Sequence, residues 1–157
     1  MSDINKSEKA KKVYETLCAS IESHGWHYNK EEALLLVHFT VSGDDLPMNF
    51  IVIVDEDRQL VRLLSPMSFK MEEEKRIEGA VATCAATNSL ANGCFDYDIT
   101  DGSITFRMTA SYRESDFGEG LFIYMMDCSA ATVDKFNDKF MFISKGVLSV
   151  SDFLADI

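Results

Sequence analysis

The sequence predicts an α+β domain in which helices pack on a largely antiparallel sheet. Runs of alternating apolar residues come in neighbouring groups separated by short turn signals, as hairpins do. Stretches with apolar residues at helical spacing lie before, between and after these groups. The predicted order is α-βββ-α-ββ-α-α, which is typical of helices that cover a sheet.

The first half of this order begins with a helix over residues 7–24, where Ser7 suits an N-cap and Gly25 a C-cap. Three strands follow, over residues 32–42, 48–54 and 59–65, and Pro66 is expected to end the third. The sequence pattern also permits a short additional strand over residues 26–28. Because the apolar runs are nearly continuous, we expect the sheet to be covered on both faces over part of its length.

The second half begins with a slim, alanine-rich helix over residues 71–90, with Glu72, Glu73 and Glu74 in its first turn. Two strands follow over residues 94–99 and 103–112. A long helix is expected over residues 118–142, with a break allowed near residues 127–130. The chain then forms a short helix whose N-cap is Ser149 or Ser151.

Length, charge and composition restrict the class of protein. The 157 residues are predicted to form one domain, and 26 acidic against 15 basic residues give a net charge of −11. This charge argues against nucleic acid or an anionic membrane as the main partner, and it permits a basic protein partner. The polar start and the shortness of the apolar runs predict a cytoplasmic protein. The four widely spaced cysteines are expected to be free, buried thiols.

The stretch FDYDITDGSITFRM contains three aspartates that resemble a calcium loop. Counted from Asp96, however, the third carboxylate and the glycine each come one position late, and Arg107 stands where calcium binds a glutamate. Alternation instead places Asp96 and Asp98 on one face of a strand that ends at Asp101-Gly102. We therefore predict a hairpin and no metal site.

No catalytic residue or cofactor is predicted, because no nucleophile, phosphate-binding or dinucleotide-binding motif is present. The three histidines have structural explanations at a helix end or within a strand. An enzyme would need His27 or His38 to lie near Asp96. That arrangement is the rival hypothesis of a small-ligand or metal-dependent enzyme.

The long helix carries more methionine and phenylalanine than one buried stripe requires. These side chains either belong to the core or form an apolar surface that binds another chain. On the second interpretation, Phe122, Met126 and Phe136 are the predicted partner-binding residues.

The strand pair FDYDITDGSITFRMTASY, followed by a long and a short helix, resembles YbjN-domain proteins. The resemblance rests on Phe95-Asp96-Tyr97-Asp98, on Asp101-Gly102 and on Ile104-Thr105-Phe106-Arg107, and in element order it covers residues 9–154. It implies a fold like that of type III secretion chaperones, which are acidic cytosolic proteins, usually homodimers, that hold an unfolded segment of a client. YbjN-like proteins are also described as regulators of sensory transduction.

We therefore expect a non-enzymatic protein-binding, chaperone-like or regulatory module of a bacterial cytosol. The partner is another protein or an unfolded client segment, and a homodimer is an option. The alternatives are an acidic immunity-type protein or inhibitor that binds a basic partner, and the enzyme described above.

Overall fold

A six-stranded antiparallel sheet forms the centre of the fold. The computed structural model describes residues 3–157. The strands lie in the order β1-β2-β3-β4-β6-β5. Their bounds are Asn29–Glu31 for β1, Leu36–Ser42 for β2, Pro47–Asp55 for β3, Leu60–Lys70 for β4, Cys94–Asp98 for β5 and Ser103–Ser111 for β6.

Four helices complete the fold, which confirms the predicted α+β class. They are α1 (Asp3–Ser23), α2 (Arg76–Asn88), α3 (Glu119–Ser144) and α4 (Val150–Asp156). The extra strand lies at β1 rather than at residues 26–28. A 3₁₀ turn, Glu32–Leu34, separates it from β2, where one continuous strand was expected.

The helix ends agree in part with the capping predictions. α1 is already helical at Asp3, so Ser7 lies inside the helix and is not its N-cap. Gly25, with a φ of 75°, ends α1, and the amide of Trp26 bonds the carbonyl of Ile21 at 3.2 Å. The Ser149 hydroxyl accepts a 3.0 Å hydrogen bond from the Asp152 amide and caps α4 as predicted. α3 runs unbroken through residues 127–130.

β4 continues past Pro66, which was expected to end it. The pairing of β3 with β4 ends at Ile51 and Leu64, so Pro66 lies beyond the last β4 residue that pairs with β3. The N–H that proline lacks is therefore not needed for a hydrogen bond to β3. Pro66 still pairs with Thr105 of β6 on its other side. The register of β4 with β6 shifts between Pro66 and Lys70.

Within residues 3–157, only one face of the sheet is covered, which corrects the expectation of cover on both faces. Alternate strand residues, among them Val37, Phe50, Val52 and Leu63, are buried in one cluster with residues from all four helices. The intervening strand residues are half-exposed or exposed. The core therefore lies between this face and the helices, and the second face remains open.

Candidate partner-binding face

The open face consists of the outward-pointing residues of five of the six strands. Because side chains alternate along a strand, these residues are the neighbours of the core residues. They are half-exposed in the structure. The open face is defined here by Leu36 and His38 of β2, Ile51 and Ile53 of β3, Leu60, Arg62, Leu64 and Pro66 of β4, Thr105 and Arg107 of β6, and Cys94 of β5.

Four aliphatic side chains meet at the middle of the open face. Leu36 is paired with Ile53, and Ile51 is paired with Leu64, across three neighbouring strands. Directly opposed residues of an antiparallel pair have their Cβ atoms about 5 Å apart, so these side chains adjoin one another. This apolar patch (Leu36, Ile51, Ile53 and Leu64) lies on central strands, where the backbone is held by hydrogen bonds on both sides.

Charged residues border the apolar patch on the side of β5 and β6. Arg107 is paired with Leu64 across the β4–β6 ladder. Its guanidinium donates two hydrogen bonds to Asp96, at 2.6 Å from Nε and 3.0 Å from Nη2. A shallow groove of about 690 Å³ runs over these residues and over Arg62 and Thr105. The open face thus combines an aliphatic centre with a polar, charged margin.

The ion pair between Asp96 and Arg107 makes a small part of the stability depend on pH. The hydrogen bond from Arg107 holds the pKa of the Asp96 carboxyl below its usual range. A depressed carboxyl pKa contributes stability above the unfolded value of about 3.9, and this contribution is lost as pH falls through the folded pKa.

Replacing Arg107 with glutamine is expected to lower the free energy of unfolding at pH 7 by about 0.5–1 kcal/mol. The effect is this small because about half of the Asp96 side chain is exposed and solvent screens the pair. Urea titrations followed by circular dichroism at a series of pH values from 7 downward measure it. The difference between native and variant should shrink as the pH falls below about 3.9, and a difference that does not change with pH would contradict the ion-pair account.

The three residues predicted to bind a partner lie in the core, and this corrects that expectation. Phe122, Met126 and Phe136 are at most 1% exposed. All three point from α3 into the cluster against the sheet, because the apolar stripe of this helix is the one that covers the strands. The core interpretation of the stripe is therefore confirmed, and α3 offers no contact surface at these positions.

The stretch FDYDITDGSITFRM forms a hairpin, as predicted, and its aspartates stabilise the loop. The Asp98 carboxylate accepts a 2.9 Å hydrogen bond from the Thr100 amide, and Asp101 binds the Ser103 amide at 2.9 Å and the Lys70 ammonium group. The loop holds four residues, Ile99 to Gly102, rather than a two-residue Asp-Gly turn. Within residues 3–157, no three His, Cys, Asp or Glu side chains are grouped so that they could hold a metal ion.

The enzyme hypothesis required His38 or His27 to lie near Asp96, and the sheet separates His38 from that position. His38 is on β2 and Asp96 is on β5, four steps apart in the strand order. At about 4.8 Å per step, the two are roughly 19 Å apart. The His38 imidazole lies instead 3.9 Å from the Glu31 carboxylate.

The exposed side of α2 carries apolar residues, which the sequence did not predict. Ile77 is 68% exposed and Val81 is 43% exposed, although they lie four residues apart as core positions of a helix do. Cys84, expected to be buried, is exposed on the same side. The small residues Gly79, Ala82 and Ala86 face the core instead. Their small size allows the helix to approach the sheet closely.

The chain has no match among protein-family models, curated proteins or solved structures. Within the part of the chain that the structure describes, no helix has the length and apolar character needed to cross a membrane.

Proposed function

We propose that this protein is a non-enzymatic binding module that docks a segment of another protein on its open face. The observation that carries the proposal is the apolar patch, which brings four aliphatic side chains together on the uncovered side of a rigid sheet. Half-exposed aliphatic groups gain free energy when a partner covers them, at about 25 cal/mol per Å² of apolar surface removed from water.

The shape of this face supports a protein segment as the partner. Sites for small molecules are concave and enclose most of the ligand. The groove over Arg62 and Arg107 is shallow, and the apolar patch beside it lies on the flat of the sheet. An extended strand or the apolar side of a helix would cover such a surface.

The β5 edge of the sheet is less suited to docking than the open face. β5 is an edge strand, and an edge can add a strand from another chain. The outward amide of Phe95, however, already donates a 2.9 Å hydrogen bond to the Thr87 hydroxyl of α2. This bond occupies one of the few donors that an incoming strand would use, so it favours docking on the face.

The resemblance of residues 95–112 to YbjN-domain proteins supports a narrower version of the proposal. On that version the protein is a chaperone-like or regulatory module of the bacterial cytosol, and its partner is a client segment. The net charge of −11 suits this role, because it keeps a protein with exposed apolar groups from associating with itself.

Replacing Ile51 with serine is expected to abolish most of the binding. The probe is a library of random peptides, about a dozen residues long, displayed on phage and selected against the purified chain. A recovered peptide is then titrated by fluorescence anisotropy against each variant. Loss of a buried isoleucine contact contributes about 1.5–3 kcal/mol, so affinity should fall tenfold or more.

The matched control is Ile77→Ser, an equal change at the exposed isoleucine of α2. It should leave the affinity unchanged. Ile53→Ser repeats the test at a second position of the apolar patch, and circular dichroism shows whether each variant is folded. The proposal fails if no peptide is enriched, or if binding depends on Ile77 and not on Ile51 and Ile53.

A further inference from the structure

Arg62 places a positive charge on the open face, directly beside the apolar patch. It lies on β4, in register with Ile53 of the apolar patch on one side and with Thr109 of β6 on the other. Its side chain is 35% exposed. A segment docked on the apolar patch would lie against this guanidinium and would remove part of it from water.

Within the described chain, the guanidinium of Arg62 is held by one loose ion pair. Its partner is the Asp55 carboxylate, whose Oδ2 is 3.7 Å from Nη2, which is too long for a hydrogen bond. The same Asp55 carboxylate already accepts two bonds from Arg58, at 3.0 Å from Nη1 and 2.9 Å from the amide. Within the described chain, the buried Nε of Arg62 has no hydrogen-bond partner.

The neighbouring Arg107, by contrast, has a hydrogen-bonded carboxylate partner on this face. Its guanidinium forms a bidentate pair with Asp96. Both arginines line the groove beside Leu64. The terminal nitrogens of Arg62, on a side chain that is 35% exposed, are therefore donors that a partner can reach, whereas the buried Nε is not.

We propose that Arg62 binds a carboxylate of the docked segment. The inference rests on the proposed function and adds the chemistry of the partner. A planar guanidinium matches a carboxylate with two parallel hydrogen bonds. A segment without an acceptor at this position would remove the exposed part of the guanidinium from water and leave it only the long contact with Asp55, which is costly, so Arg62 selects for an acidic side chain.

The net charge of the protein limits how many acidic residues the segment carries. A charge of −11 repels an acidic chain at long range, whereas the attraction of Arg62 acts only at close contact. The expected partner segment is therefore largely apolar, with a single aspartate or glutamate among its apolar residues.

The same peptide selection tests this inference through a double-mutant cycle. The enriched peptides should share one acidic residue flanked by apolar ones. Changing that residue to the corresponding amide should weaken binding to the native chain about tenfold or more. The same change should have little effect on binding to Arg62→Gln, because the two groups then no longer interact.

Arg113→Gln is the matched control, since it removes one exposed arginine outside the open face. It should retain both the affinity and the preference for the acidic peptide. If peptides bind in an Ile51-dependent way but carry no acidic residue, or if the cycle shows no coupling with Arg62, this inference is overturned and the proposed function stands. If no Ile51-dependent peptide is recovered, both are overturned.

Discussion

Replacing Phe136 with alanine is expected to lower the free energy of unfolding by about 3–5 kcal/mol. Phe136 is fully buried, and its ring centroid lies 5.5 Å from that of Phe95, 5.9 Å from that of Phe140 and 6.2 Å from that of Phe153. Truncation removes these contacts and leaves a cavity between α3, α4 and the sheet. Since a domain is stable by only about 5–15 kcal/mol, the loss is a large part of the total.

Phe142 is the control for this substitution, because it lies on the same helix and is 40% exposed. Phe142→Ala should cost only about 0.5 kcal/mol, as surface changes do. Urea denaturation followed by circular dichroism measures both variants. A Phe136→Ala protein that keeps native stability but loses peptide binding would contradict the core assignment and would restore Phe136 as a contact residue.

Local patterns predicted the elements that depend on local chemistry. Alternation identified β2, β3, β5 and β6, and capping chemistry identified the end of α1 and the start of α4. These features depend on backbone conformation and on bonds between near neighbours in sequence, such as the Asp152 amide bond to Ser149. Predicting these features does not require knowing how the elements pack against one another.

The orientation of α2 depends on packing, and periodicity alone could not predict it. An apolar stripe at Ile77 and Val81 would ordinarily indicate a core face. At Gly79, however, an added Cβ would lie 2.6 Å from the Met71 Cγ and 2.8 Å from the Tyr97 hydroxyl. Because α2 lies this close to its neighbours, only its small residues can face the core, and the larger apolar residues point outward.

The open face depends on which strands become neighbours. His38 and Arg62 lie far apart in sequence, and their strands become part of one surface only when β3 lies between β2 and β4. The polar residues among the apolar runs were the available signal that one face is uncovered. The loose pairing of Arg62 with Asp55 had no signal in sequence, because it depends on where Asp55 directs its carboxylate.

Gly102→Ala is expected to destabilise the protein by about 3 kcal/mol, through two separate effects. The φ of Gly102 is 78°, and the left-handed conformation costs a residue with a Cβ about 1–2 kcal/mol. A Cβ at this position would also lie 2.5 Å from the Met71 carbonyl oxygen. The Met71 backbone resists moving away, because its amide donates a 2.8 Å hydrogen bond to the Gly102 carbonyl. Overpacking of this kind costs about 1–3 kcal/mol more.

Gly25→Ala separates these two effects. Gly25 has nearly the same φ, 75°, but no atom lies within 4 Å of the position that a Cβ would take. Its substitution should therefore show only the backbone cost, about 1 kcal/mol. In thermal unfolding, the melting temperature of Gly102→Ala should be several degrees below that of Gly25→Ala. Each kcal/mol lowers the melting temperature of a domain of this size by about 2–4 °C. Equal melting temperatures would mean that the hairpin loop does not press on Met71, and that the junction between β4 and α2 is held by other contacts.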